Sequence, residues 1–89
     1  MSSERPLTEI LSDPDLMGVY VGVRRRKENG QILGEVVASG RDYDSIHGAI
    51  RIDKLSRGGL YHLFFPVNEG EDRKGWIIGE EELFEKVVM

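Results

Sequence analysis

Apolar and polar positions alternate from Leu16 to Lys27, with Val19, Val21 and Val23 on one side and Tyr20, Gly22, Arg24 and Arg26 on the other. That period of two is the signature of a strand. A second alternating run, Gln31 to Ser39, carries Ile32, Gly34, Val36 and Ala38 on one face and Leu33, Glu35 and Val37 on the other. Between the runs lies Glu28-Asn29-Gly30-Gln31. Asn-Gly in this setting is the strongest short-range hairpin signal, because both central residues of a type I′ turn need positive φ. The turn also predicts a register, in which Val23 faces Val36, Arg24 faces Glu35 and Val21 faces Ala38. Leu33 and Val37 then fall on the outer face. Another strand or a partner covers them, or they belong to the ordinary scatter of exposed apolar residues.

The same patterning predicts the remaining elements. Pro6-Leu7-Thr8-Glu9-Ile10-Leu11 reads as one or two helical turns with Leu7, Ile10 and Leu11 on one face, ended by Ser12-Asp13-Pro14-Asp15. So short a helix is not stable alone and must cover something, most simply an open barrel end. From Ile46 to Leu55, the residues Ile46, Gly48, Ile50 and Ile52 alternate with His47, Ala49, Arg51 and Asp53, which predicts a third strand. Leu60 to Val67 is a fourth, apolar on both faces apart from His62, which suggests a central or doubly covered position. The pattern leaves open which of its faces points inward. Asn68 to Gly75 is a polar loop with no apolar residue to tie it down, Trp76-Ile77-Ile78 a short fifth strand, Gly79 to Glu82 a tight or 3₁₀-like turn, and Leu83 to Val88 a closing strand or brief helix.

At 89 residues the chain has room for one domain with one small core. The expected organisation is a tail and short helix over residues 1–15 and a single β-barrel domain over 16–89. The absence of cysteine removes disulfides, thiolate zinc sites and thiol nucleophiles, and suits a reducing compartment. With no signal-peptide pattern and only short apolar runs, a cytoplasmic protein is expected. A formal charge of −4 argues against nucleic-acid binding through the overall field, while leaving room for a local basic patch.

The stretch Gly75-Trp76-Ile77-Ile78-Gly79-Glu80-Glu81-Glu82-Leu83-Phe84-Glu85-Lys86-Val87 resembles the end of an SH3-like barrel, where a Gly/Trp-led strand is followed by a 3₁₀ turn and a short final strand. The Ala-Leu-Tyr-Asp-Tyr segment and paired tryptophans of peptide-binding SH3 domains are absent. The resemblance therefore implies the architecture and not binding to proline-rich peptides. The expected fold is mostly β: a small SH3-like antiparallel barrel of five to six strands with a short N-terminal helix.

Candidate chemistry is sparse. His47 and His62, on strands expected to be neighbours, match no metal-ligand spacing, and neither a nucleophile triad nor a carboxylate pair is legible. No enzymatic activity, cofactor or metal is expected. Tyr20, Tyr43, Tyr61, Phe65 and Trp76 could form a recognition surface, since aromatics and arginine dominate interface hot spots. The residues expected to contact a partner are Tyr20, Arg24, Arg26, Leu33, Val37 and Tyr61. The leading expectation is a non-catalytic protein-binding module, acting as a small accessory, regulatory or inhibitor protein or associating with itself. The alternative is a barrel binding single-stranded nucleic acid or RNA through Arg24, Arg26 and Arg51, with Tyr20 and Tyr61 as stacking platforms. The basic run Arg24 to Lys27 has a plainer explanation as a solvated hairpin end that discourages edge-to-edge association.

Overall fold

Asn29 and Gly30 both hold positive φ, 51° and 78°, and join two long strands in a computed structural model of the chain. These are β2 (Tyr20–Glu28) and β3 (Gln31–Gly40). The model describes residues 4–68, 71, 73–78 and 84–88, with strand placement alone for 76–78 and 84–88. From the turn, the pairs Val23 with Val36 and Arg24 with Glu35 follow as the spacing predicts. Beyond them a bulge shifts the ladder, so that Gly22 faces Ala38 and Val21 faces Ser39 instead of Ala38. The extra residue is Val37, and its consequence is a change of face: Val36 packs into one hydrophobic cluster, Val37 and Ala38 into the other. Because a Cβ at Gly30 meets no atom within 4 Å, a substitution there costs conformation alone. Gly30→Val is expected to lower stability by about 1–3 kcal/mol and the melting temperature by several degrees, whereas Asn29→Asp should be nearly silent. Thermal denaturation of both variants checks this, and a Gly30→Val protein as stable as the parent would mean that the turn does not set the register.

The strands β4 (Leu60–Phe64), β5 (Lys74–Ile78) and β6 (Phe84–Val88) extend the sheet on the β2 side, while β1 (Arg5–Pro6) adds two residues against Leu33 and Gly34 of β3. The order is β1-β3-β2-β4-β5-β6, antiparallel throughout. The described strands form an open sheet and do not close into a barrel. The central place predicted for the fourth strand holds, and both of its faces point inward: Tyr61 and Leu63 lie on one side of the sheet, His62 and Phe64 on the other, each at most 2% exposed. The tight turn expected over Gly79 to Glu82 lies outside the described residues.

The predicted third strand is a helix. The segment Tyr43–Arg57 forms α2, and Asp42 caps it by accepting hydrogen bonds from the Ser45 amide at 3.2 Å and the Ser45 hydroxyl at 2.6 Å. Ile46 and Ile50 fit both a period of two and a spacing of four. Ile52 separates the two readings, being 70% exposed while Ile46 and Ile50 are buried. Sheet geometry favours the helix as well, because Gly22 opens a seat for it. A Cβ at Gly22 would stand 2.8 Å from Cγ1 of Ile50, so a side chain there would push α2 off the sheet.

Opposite α2, the five-residue helix α1 (Leu7–Leu11) lies on the other face. Leu7 and Ile10 join Leu16, Val21, Val23 and Phe64 in one cluster, and Leu11 is partly buried against it. The helix thus covers a sheet face and not a barrel end. Gly34 plays the part of Gly22 on this side, since a Cβ there would come within 2.9 Å of Cδ1 of Ile10. Asp13 then caps a 3₁₀ turn over Pro14–Leu16 by accepting the Asp15 amide, and its carboxylate also takes Arg5 at 2.8 Å. That amide and Arg5 hold the Asp13 carboxyl below its usual range. The loop expected to lack a tether is held by Arg73, a cation 4% exposed whose guanidinium donates to the carbonyls of Leu16 (2.7 Å), Leu11 (3.4 Å) and Phe65 (3.4 Å).

Candidate functional site

Three aromatic rings meet where β2 begins, β4 has just ended and α2 starts. Tyr20 opens β2, Tyr43 is the first residue of α2 behind its Asp42 cap, and Phe65 follows β4, its amide donating to the Lys74 carbonyl at 2.7 Å. The Tyr20 ring stands edge-on to Tyr43 at 5.6 Å and to Phe65 at 5.7 Å, and Tyr43 lies 6.2 Å from Phe65. One turn along the helix, His47 stacks on Tyr43 at 5.8 Å with 15° between the planes. Offset and edge-on contacts of this kind are the favoured aromatic geometries. All four side chains are half-buried, and the inner sides of the three aromatic rings rest on the cluster of Ile46, Ile50, Tyr61 and Leu63. Among the described residues, neither the Tyr20 nor the Tyr43 hydroxyl has a hydrogen-bond partner within the fold. Burial, and then the nearby Arg51, lower the His47 pKa, with Asp44 opposing them.

The six residues expected to contact a partner do share one face of the sheet, but α2 covers much of it. Val37 is the clearest case, since it packs against the core beneath α2 in company with Tyr20, Tyr43 and Phe65. The outer apolar residue that called for a cover finds it within its own chain. Tyr61 is fully buried; its hydroxyl donates to Asp53 at 2.5 Å, and burial followed by that carboxylate pushes its pKa up to about 12. Burial alone would raise the Asp53 carboxyl, but hydrogen bonds from Arg57 and Tyr61 outweigh it and hold it low. Arg24 donates Nε to the Gly58 carbonyl at 3.0 Å just past the C-terminal end of α2. Arg26 is paired with Glu4 at 2.6 Å and with Glu28. Leu33 sits half-buried beside Pro6 of β1.

The structure therefore brings Tyr20 and Val37 to the aromatic corner and leaves Arg24, Arg26 and Leu33 nearer the hairpin end. Of the residues expected to meet a nucleic acid, Arg24 and Arg26 are engaged within the fold and Tyr61 is buried, while Tyr20 is half-buried and Arg51 is exposed on α2. The histidines are not brought together: His47 is on α2, while His62 faces the opposite side of the sheet beside Val23 and Phe64. No group of three or more metal-ligating side chains is present among the described residues. Sequence patterning missed His47 as the fourth ring of the corner, because a strand would have turned it away from Tyr43. Asp42-x-x-Ser45 was the available signal, a capping pattern that starts a helix and places residues 43 and 47 one above the other.

Together these features define a small antiparallel sheet flanked on each face by a helix, with one half-exposed aromatic corner. The chain matches none of the family models, curated proteins or solved structures with which it was compared. Among the described residues, no helix is long and apolar enough to cross a membrane.

Proposed function

We propose that this protein is a non-catalytic protein-binding module, acting as a small accessory, regulatory or inhibitor protein, and that its partner docks on the corner formed by Tyr20, Tyr43, Phe65 and His47. The observation that carries the proposal is the mutual contact of Tyr20, Tyr43 and Phe65, half-buried at one end of α2. Rigid rings with an apolar body and a polar tip offer large contact area at little entropic cost, which is why aromatics concentrate at interface centres. Nothing in this assignment needs an SH3-like barrel. A cysteine-free chain suits a reducing compartment, and we place the module in the cytoplasm.

Affinity capture from the native host's lysate tests the proposal when wild type is run beside Tyr43→Ala, with circular dichroism confirming that the variant is folded. The wild type should retain a specific protein, and Tyr43→Ala should weaken its binding by about thirtyfold, the loss typical of a hot-spot aromatic. Recovery of no specific protein under several conditions, or equal recovery by both chains, would overturn it.

A further inference from the structure

The hairpin of β2 and β3 runs past its neighbours in the sheet. β4 starts with Leu60 opposite Arg25 and β1 ends with Pro6 opposite Leu33, so residues 26–32 form a two-stranded arm with the Asn29–Gly30 turn at its tip. The two faces of this end differ. On the side that carries α2, Arg26 is taken by Glu4 and Glu28, and Glu35 by Arg57. On the other side stand Arg25 and Lys27, two residues apart on β2 and so on one face. Neither enters a salt bridge among the described residues. Residues directly opposite in a ladder share a face as well. Leu60 therefore stands beside Arg25 and Ile32 beside Lys27, and these two aliphatic side chains are 46% and 41% exposed. The α1 helix leaves them open, because it packs on the hairpin at Gly34, where a Cβ would meet Ile10 and Leu7.

We infer that this end of the hairpin docks on an anionic lipid bilayer, with Arg25 and Lys27 at the headgroups and Ile32 and Leu60 entering the interface between them. Charge complementarity selects the class of partner. Two cations without a carboxylate call for an anionic surface, and the aliphatic pair calls for one with an apolar layer behind its charge, which a bilayer offers and a free polyanion lacks. A projecting arm also meets a flat surface without a groove to receive it. The net charge of −4 does not prevent this, because the field of distant carboxylates is screened. Asp42 and Asp44 stand at the start of α2, which meets the sheet at Tyr20, the opposite end of β2. Five residues of strand separate Tyr20 from Arg25, about 17 Å and roughly twice the Debye length at physiological salt. The same separation keeps this surface apart from the aromatic corner. So small a set of side chains gives weak, reversible attachment, since stable anchoring takes a second signal.

Cosedimentation of the full chain with lipid vesicles tests the inference. The wild type should bind vesicles of mixed phosphatidylcholine and phosphatidylserine at low ionic strength, bind pure phosphatidylcholine far more weakly, and dissociate as salt is raised. Lys27→Ala should lower the partition coefficient about fivefold, the weight of one cation near an anionic surface. Ile32→Ser should lower it severalfold through lost apolar burial. Arg41→Ala, which removes an exposed cation beyond the other end of the hairpin, should leave it unchanged. Circular dichroism confirms that each variant is folded. No binding to the mixed vesicles, indifference to Ile32→Ser, or equal losses from Lys27→Ala and Arg41→Ala would overturn the inference. Binding of soluble poly-glutamate as tight as that of the mixed vesicles would overturn it as well, because an acidic macromolecule would then be the partner.

Discussion

Replacing His62 by leucine is expected to make this protein more stable, by about 1–3 kcal/mol near neutral pH, because it removes a buried donor and acceptor that find no partner among the described residues. His62 lies in the middle of the central strand, 2% exposed, with its ring edge-on to Phe64 at 5.0 Å and Val23 as its neighbour across the ladder. Among the described residues, neither of its nitrogens has a hydrogen-bond partner. Burial, and secondarily the charge of Arg25, bring its pKa down to about 4. In the unfolded chain the group titrates near the ordinary histidine value of about 6.5. Above that value both states are neutral and the stability is full. As the pH falls toward 4, the unfolded chain takes up the proton and the folded one resists it, so stability is lost progressively, reaching roughly 3 kcal/mol when both forms are charged. Urea unfolding of wild type and His62→Leu across this range should give curves that diverge on acidification, with the variant flatter and everywhere higher. Parallel curves, or a variant weaker at neutral pH, would mean that the nitrogens are satisfied in solution.

Arg73→Met is expected to cost about 2–4 kcal/mol, the scale of losing hydrogen bonds to a charged group and leaving buried carbonyls unpaired. The side chain reaches back to the opposite end of the chain, where Leu11 ends α1 and Leu16 ends the 3₁₀ turn. Carbonyls at such termini lack helical partners, and a cation beside them is favoured by the local dipoles as well. Burial works against the charge and lowers the Arg73 pKa, with Asp13 partly opposing that shift. The three acceptors outweigh that cost because a methionine would bury the Leu16 carbonyl with nothing in place of the guanidinium. Hydrogen exchange should show the loss concentrated at residues 7–18, which Arg73 ties to the end of β4. Arg73→Lys should recover part of it, one ammonium being unable to span all three carbonyls. A melting temperature unchanged by Arg73→Met would show that the N-terminal segment is held by Leu7, Ile10 and Leu16 alone.

Local signals determined those parts of the molecule where one physical constraint acts by itself. Positive φ at Asn29 and Gly30 leaves few alternatives, so the hairpin, the Val23–Val36 pair and the Arg24–Glu35 pair were legible before any fold was known. The short helix at Leu7–Leu11 was legible for a similar reason, as Pro6 and the next apolar spacing allow little else. The segment from Tyr43 to Arg57 was different. Isoleucines at 46 and 50 satisfy a strand and a helix equally, and Ile52, exposed on the far side of α2, tipped the pattern toward the wrong period. What decided it was the Asp42 cap together with the seat at Gly22, and the seat exists only once β2 lies under the helix. The bulge that turned Val37 and Ala38 toward α2 likewise has no mark in the alternation of β3. The aromatic corner follows from both events: Tyr20, Tyr43 and Phe65 are far apart along the chain, and the choice of helix over strand at residue 43 brought them into contact. Sequence determines conformation where the preference is local, whereas a segment compatible with two periods takes the one whose apolar side finds a surface, and that surface is made by the rest of the chain.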